Sequence, residues 1–165
     1  MANELDRGME RALRQAQLAF DSGEVPVGAV VMRGERLLGT GFNRMIATCD
    51  PTAHAELIAI SAAAEALGEE ILEGCTLFTT LEPCPMCAGA IVLSHIERVI
   101  FGASDPKLGA CGSVYNLLED GKANRTITVI GGIQEHQCAN LLQSFFRTLR
   151  ENPTKRNRRN GFDEI

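Results

Sequence analysis

The order of hydrophobic patterns along the chain is the feature that most restricts its fold. A stripe of apolar residues with helical spacing runs from Leu5 to Phe20, and helix-like and strand-like segments then alternate as far as about Arg150. Strands separated by helices favour one sheet with helices on both faces, and parallel strand pairs are expected after the initial hairpin. The sequence therefore predicts an α/β fold, a three-layer α/β/α sandwich around a mixed five-stranded sheet.

The predicted elements are helices over 5–20, 52–67, 83–95, 113–118 and 134–150, and strands over 27–32, 36–42, 75–80, 98–102 and 126–130. Asp50 and Pro51 are typical of a helix start, so the second helix is expected to begin near Thr52. Ligands of such sheets lie beyond the carboxyl ends of strands, where helices begin. Functional residues are therefore expected at the helix starts.

Length and composition indicate one globular domain, since the chain has 165 residues, of which 45% are hydrophobic and 22% charged. The predicted domain covers residues 1–152, and residues 153–165 form a basic, polar tail that is expected to fray. No apolar leader is visible, and no apolar run approaches the ~18–20 residues that span a bilayer. A cytoplasmic location without membrane contact is therefore expected.

Charge alone leaves the partner open. The net charge of −5 disfavours a polyanionic partner. Basic residues nevertheless cluster near the end of the chain, at Arg147, Arg150, Lys155, Arg156, Arg158 and Arg159. This cluster could be a solvated tail or a contact to nucleic acid.

Two of the six cysteines have the spacing of metal ligands. Cys84 and Cys87 lie three residues apart at a predicted helix start, where the helix N-terminus favours the thiolate form that binds metal. With the imidazole of His54 they would supply three ligands and leave a tetrahedral zinc one position for water. An open position is typical of a catalytic site, whereas a structural zinc knuckle or a redox pair is the alternative.

Glu56 stands two residues after His54, also at a predicted helix start. On a regular helix these two side chains point roughly 200° apart, so both cannot comfortably bind one ion. Both can, however, border a pocket over the helix end. Zinc lowers the pKa of a bound water toward ~7, and a neighbouring carboxylate can accept that proton and deliver it to a substrate. The two motifs together favour a catalytic zinc site.

The motif His54-x-Glu56 followed by Pro83-Cys84-x-x-Cys87 resembles the signature of the cytidine deaminase-like superfamily. Longer segments are similar to the bacterial tRNA-specific adenosine deaminases. These segments are 24–30, 43–44, 50–56, 81–90, 101–110 and 141–147. The similarity extends over nearly the whole chain, from the first helix to about residue 150.

The resemblance implies a cytidine deaminase-like fold and a hydrolytic, zinc-dependent reaction. It implies conversion of the wobble adenosine to inosine in tRNA, specifically an arginine tRNA with an ACG anticodon. It further implies a homodimer with one Zn²⁺ per subunit that binds the tRNA anticodon loop. By the same resemblance, His54, Cys84 and Cys87 bind the metal and Glu56 moves protons.

The resemblance also implies substrate contacts. Asn43 would contact a base edge, and Asp105, Phe145, Phe146 and Arg147 are candidate contacts to the anticodon loop. A functional Asp105 is expected to meet a ribose 2′-OH, since phosphates would repel it. The residues alone also allow plainer explanations. Asn43 and Asp105 stand where turn formers are common, and both phenylalanines could lie in the core or in a dimer seam.

Two other functions remain open from the sequence. The chain could deaminate a free nucleobase or nucleoside of the guanine or cytosine type, in which case the basic tail would have no role. It could instead be a non-catalytic, zinc-binding partner subunit. Glu56 argues against that second alternative, because a structural zinc site has no use for the carboxylate.

Overall fold

The computed structural model describes residues 3–123 and 125–152. The helices are α1 (Glu4–Asp21), α2 (Met45–Thr48), α3 (Ala55–Leu67), α4 (Pro85–Leu93) and α5 (Glu135–Glu151), and the strands are β1 (Gly28–Arg33), β2 (Arg36–Phe42), β3 (Thr76–Leu81), β4 (Arg98–Ala103) and β5 (Thr128–Ile130). Most ends lie within one or two residues of the prediction. The tail predicted over 153–165 lies outside the described residues.

The strands form one mixed sheet in the order β2-β1-β3-β4-β5. Strand β1 pairs antiparallel with β2 and with β3, whereas β3, β4 and β5 run parallel. One face of the sheet packs against α3 and α4 and the other packs against α1 and α5. This arrangement confirms the predicted α/β/α sandwich. None of the helices in the described part of the chain combines the length and apolarity that a membrane span needs.

Helix α3 lies close to the β1–β2 hairpin because glycines of β2 face its alanines. A Cβ atom at Gly39 would collide with the backbone of Ala59 and Ala63, and one at Gly41 with the backbone of Ala55 and Ala59. The alanines themselves are fully buried. This close approach fixes the N-terminus of α3 beside the end of β2.

The start of α3 differs from the prediction. Asp50 does not cap the helix; its Oδ1 accepts hydrogen bonds from the backbone N–H of Thr52 at 2.8 Å and from its hydroxyl at 2.6 Å. These bonds close a separate turn. The helix consequently begins at Ala55, and His54 occupies the N-cap position.

The helix predicted over 113–118 is wrong. That segment consists of turns with an isolated bridge between Cys111 and Asn116. In a helix over 113–118 the backbone N–H of Leu117 would donate to the carbonyl of Ser113, but it donates to that of Ala110 at 2.9 Å. The short helix α2, in contrast, was not predicted from the sequence.

Candidate metal centre

The N-termini of α3 and α4 bring three metal-binding side chains together. His54 is the N-cap residue of α3, Cys84 is the N-cap residue of α4, and Cys87 lies in the first turn of α4. The Nδ1 atom of His54 is 3.6 Å from Cys84 Sγ and 3.5 Å from Cys87 Sγ. One donor atom from each residue lies within 4.8 Å of the others. The predicted ligand set is therefore assembled in space.

Mutual hydrogen bonding controls protonation in this group. The hydrogen bond from Cys87 is the largest cause that lowers the pKa of Cys84 to about 4, and His54 contributes in the same direction. The pKa of Cys87 is raised, because its thiol is engaged with Cys84 and is buried. The pKa of His54 is raised, chiefly by its hydrogen bond to Cys84. The arrangement thus favours a thiolate at Cys84, the form that binds metal.

Glu56 is a buried carboxylate beside these ligands. Its side chain lies in the first turn of α3, and the residue is only 3% exposed. Burial raises its pKa to about 7. Within the described residues, its Oε2 has no hydrogen-bond partner, which is costly for a buried carboxylate. Such an oxygen at a cluster of metal-binding groups is typical of a proton-transfer residue.

The donor set fits a catalytic zinc ion. One imidazole and two thiols are common zinc ligands, and three protein ligands leave a tetrahedral ion one open position. Among the described residues, no fourth histidine, cysteine or acidic side chain joins the group of three. A closed, four-ligand structural knuckle is therefore not formed there, and the unpartnered oxygen of Glu56 is explained if a substrate or water occupies the open side.

Asn43 lies immediately after β2 and is 7% exposed. Its Oδ1 accepts a hydrogen bond of 3.0 Å from the backbone N–H of Ala55, at the start of α3. The side chain therefore anchors the helix end that carries His54 and Glu56. Its Nδ2 amide group remains as the donor that a base edge could use.

Asp105 follows β4 and forms a turn. Its Oδ1 accepts hydrogen bonds from the backbone N–H groups of Lys107 at 2.9 Å and Leu108 at 3.3 Å. The turn-forming explanation is therefore satisfied by one carboxylate oxygen, and Oδ2 remains as an acceptor.

The three candidates on α5 have different environments. Phe145 is 4% exposed, and its ring packs edge-to-face against Phe20 of α1 with centroids 5.6 Å apart. Phe146 is 43% exposed. Arg147 is exposed, and its guanidinium donates to the hydroxyl of Ser144 at 3.3 Å. Phe145 is therefore a core residue, while the side chains of Phe146 and Arg147 face solvent.

Two buried carboxylates were not singled out from the sequence. Glu24 is 3% exposed and accepts hydrogen bonds from the backbone N–H groups of Ile46 at 3.0 Å and Ala47 at 2.8 Å, so it holds α2. Glu82 is 2% exposed and lies two residues before Cys84. Burial would raise the pKa of Glu82, but hydrogen bonds, led by that of Ser113, hold it below its usual value. An acidic residue directly before Pro83 and Cys84 was the only local signal.

Comparison with known proteins agrees with this geometry. The family model described as the cytidine and deoxycytidylate deaminase zinc-binding region matches residues 2–103. A tRNA-specific adenosine deaminase of Bacillus subtilis is 45% identical over 143 residues, which are 87% of this chain and 89% of that protein.

Two solved structures are similar over most of the chain. One, from a study of A-to-I editing by tRNA:A34 deaminases at the wobble position of transfer RNA, has a TM-score of 0.79 and 41% identity, covering 82% of this chain and 99% of the other. Another, a guanine deaminase from Nitrosomonas europaea, has a TM-score of 0.77 and 25% identity, covering 88% and 85%. The chain therefore belongs to the cytidine and deoxycytidylate deaminase zinc-binding family, among the tRNA-specific adenosine deaminases.

Proposed function

We propose that this chain hydrolyses the wobble adenosine of tRNA to inosine, with an arginine tRNA carrying an ACG anticodon as the substrate. The observation that carries the chemistry is the buried, unpartnered Oε2 of Glu56 beside the ligand group. The substrate is supported by similarity to proteins named for this activity over 87% of the chain. An anticodon loop suits such a site, because its bases leave their stack at lower cost than bases in a duplex.

In this proposal His54, Cys84 and Cys87 would hold one Zn²⁺, which would supply an activated water near neutral pH. Glu56 would accept one proton of the attacking water at Oε2 and deliver it to a ring nitrogen. It would then accept the second proton of that water and deliver it to the departing amine. A carbon–oxygen bond replaces the C6–N6 bond, and ammonia leaves.

The substrate contacts follow from the groups that remain available. Asn43 would donate its Nδ2 amide to the base edge, and Asp105 would accept a ribose 2′-OH at Oδ2. Phe146 and Arg147 would contact the anticodon loop from α5, since both side chains are exposed. Phe145 would support Phe146 from the core, because their rings lie edge-to-face at 5.6 Å.

We also propose that the chain acts in the cytoplasm and that it forms a homodimer through α4. The sequence of α4, PMCAGAIVL, contains no charged or hydroxyl-bearing side chain on any face. Its less buried positions include Met86, 37% exposed, and Leu93, 80% exposed. These residues lie seven apart and so share one helix face. A helix that is apolar all round is normally buried, and a second copy of the chain would cover this face.

The test is inosine formation in an arginine-tRNA anticodon stem-loop with an ACG anticodon. The zinc-loaded chain is compared with Glu56→Gln and with Glu65→Gln, a matched change at an exposed site on the same helix. We expect the parent and Glu65→Gln to form inosine, and we expect Glu56→Gln to lose about 10²–10⁴-fold in kcat with its zinc content unchanged.

Free adenosine, guanine and cytidine are assayed in parallel with the stem-loop. Ammonia release from guanine or cytidine, without inosine in the RNA, would instead support the free-base alternative. The observation that favours this alternative is the similarity to a guanine deaminase at 25% identity. Zinc binding without turnover on any of these substrates would support a non-catalytic partner subunit.

A further inference from the structure

Glu82 is a buried carboxylate that proton transfer at Glu56 does not use. Its oxygens accept hydrogen bonds from three backbone N–H groups, those of Asp105 at 2.9 Å and of Cys111 and Ser113 at 3.0 Å each. The hydroxyl of Ser113 donates to it as well. All four donors belong to the segment after β4, residues 105–113, which we call the Glu82 loop.

The Glu82 loop is built tightly around this carboxylate. A Cβ atom at Gly109 would collide with Oε2 of Glu82 and with the backbone oxygen of Asp105. The backbone N–H of Ala110 donates to the carbonyl of Pro83 at 2.8 Å. The loop therefore has no room to close in the same way around a larger residue at position 109.

The sheet places this loop next to the metal group. Strands β3 and β4 run parallel, so the segments after them leave the same edge of the sheet, where ligands bind in such folds. Glu82 itself bridges the two segments, because its backbone N–H donates to the carbonyl of Ala103 at 2.8 Å. Cys84 lies on the segment after β3, and Asp105 and Lys107 lie on the segment after β4.

We propose that Glu82 is a positioning residue that holds the Glu82 loop in the conformation that presents Asp105 and Lys107 to the RNA. This inference rests on the proposed function. Lys107 is exposed and makes no ion pair among the described residues, and Asp105 keeps one free carboxylate oxygen. Glu82 touches neither substrate nor metal in this role; it acts through the backbone of the loop.

A carboxylate is required because the donors approach both of its oxygens. Oε1 accepts from Cys111 and Ser113, and Oε2 accepts from Asp105 and from the Ser113 hydroxyl. In Glu82→Gln one of these oxygens becomes an NH₂ group, which faces donors and can accept nothing. The loop must then move, although the side chain keeps its volume.

The test is steady-state kinetics of the zinc-loaded full chain on the ACG stem-loop. We expect Glu82→Gln to raise KM by about 10–100-fold, with kcat within a few-fold of the parent and zinc content unchanged. Gly109→Ala should give the same KM signature, since it displaces the loop without removing any hydrogen-bonding side chain. Ser113→Ala should raise KM only a few-fold, because three backbone donors remain. The matched control is Glu119→Gln, an exposed carboxyl further along the chain, which should match the parent.

The outcomes separate the two proposals. If the parent chain forms no inosine in the stem-loop, the proposed function itself is wrong. An active parent with an unchanged KM in Glu82→Gln and Gly109→Ala overturns the positioning role, even if both variants melt at lower temperature. If Glu82→Gln loses both kcat and bound zinc, Glu82 belongs to the metal group instead, and the positioning role is again overturned. If Glu82→Gln does not fold, Gly109→Ala and Ser113→Ala decide.

Discussion

At the scale of single residues, the side chain of Asn43 has two separable capacities. Its Oδ1 accepts from the backbone N–H of Ala55, and its Nδ2 remains as a donor. The first capacity supports the start of α3 and therefore the fold. The second would serve recognition of the base under the proposed function. Because they reside on different atoms, substitution can remove one and keep the other.

Asn43→Asp is expected to keep the acceptor and remove the donor. The new carboxylate can still accept from Ala55, and the helix N-terminus offsets part of the cost of burying its charge, so we expect the melting temperature to fall less than in Asn43→Ala. The value of kcat/KM on the stem-loop should fall about 10–100-fold. Asn43→Ala should lower both, because the Ala55 N–H then loses its partner. A fully active Asn43→Asp would show that Asn43 does no more than anchor the helix.

At the scale of elements, the contact between α3 and β2 sets the position of two site residues. His54 and Glu56 lie at the N-terminal end of α3, and Gly39 and Gly41 let that helix approach the sheet closely. The α3 atoms that lie nearest these two glycines are mainly backbone atoms rather than flexible side chains. An added methyl group therefore cannot be absorbed by a change of rotamer.

Gly39→Ala is expected to destabilise the protein by about 1–3 kcal/mol, because its Cβ would overlap the backbone of Ala59. The measurement is the free energy of unfolding in urea at equilibrium. Leu37→Ala, at a 39% exposed position of the same strand, should change this free energy by about 1 kcal/mol or less. Equal effects of the two substitutions would show that α3 can move away from β2 at little cost.

At the scale of the whole molecule, the apolar face of α4 tests the proposed homodimer. Leu93→Glu places a charge at a position that is 80% exposed in the single chain. Folding of that chain should not suffer, but burial of an unpaired charge in an interface is costly. We expect a dimer to dissociate to a monomer in sedimentation equilibrium. Leu18→Glu on α1, at a 46% exposed position, should leave the assembly unchanged. A monomeric parent chain would remove this proposal.

The prediction of the fold succeeded where local patterns were sufficient. Strands β1, β3 and β4 are mostly buried on both faces, and their apolar residues divide between two core clusters. The prediction failed at the start of α3 and at 113–118, where hydrogen bonds outside the helical pattern decide the backbone conformation. Asp50 Oδ1 accepts from Thr52 in a separate turn, and the backbone N–H of Leu117 donates to the carbonyl of Ala110.

The sequence by itself determined the chemistry at the ligand positions. Cys84 and Cys87 lie at one helix start, and His54 and Glu56 lie at another. The local sequence predicts both placements, because each depends only on the backbone within a few residues. Only the tertiary structure brought His54 Nδ1 to 3.5 Å from Cys87 Sγ, across 33 positions of sequence.

The tertiary structure also decided the roles of the buried carboxylates. Glu24 reaches the backbone at Ile46, and Glu82 reaches the backbone at Ser113, across 22 and 31 positions of sequence. Neither contact has a local pattern, because hydrogen bonds between distant segments form only once the sheet has set the two backbones side by side.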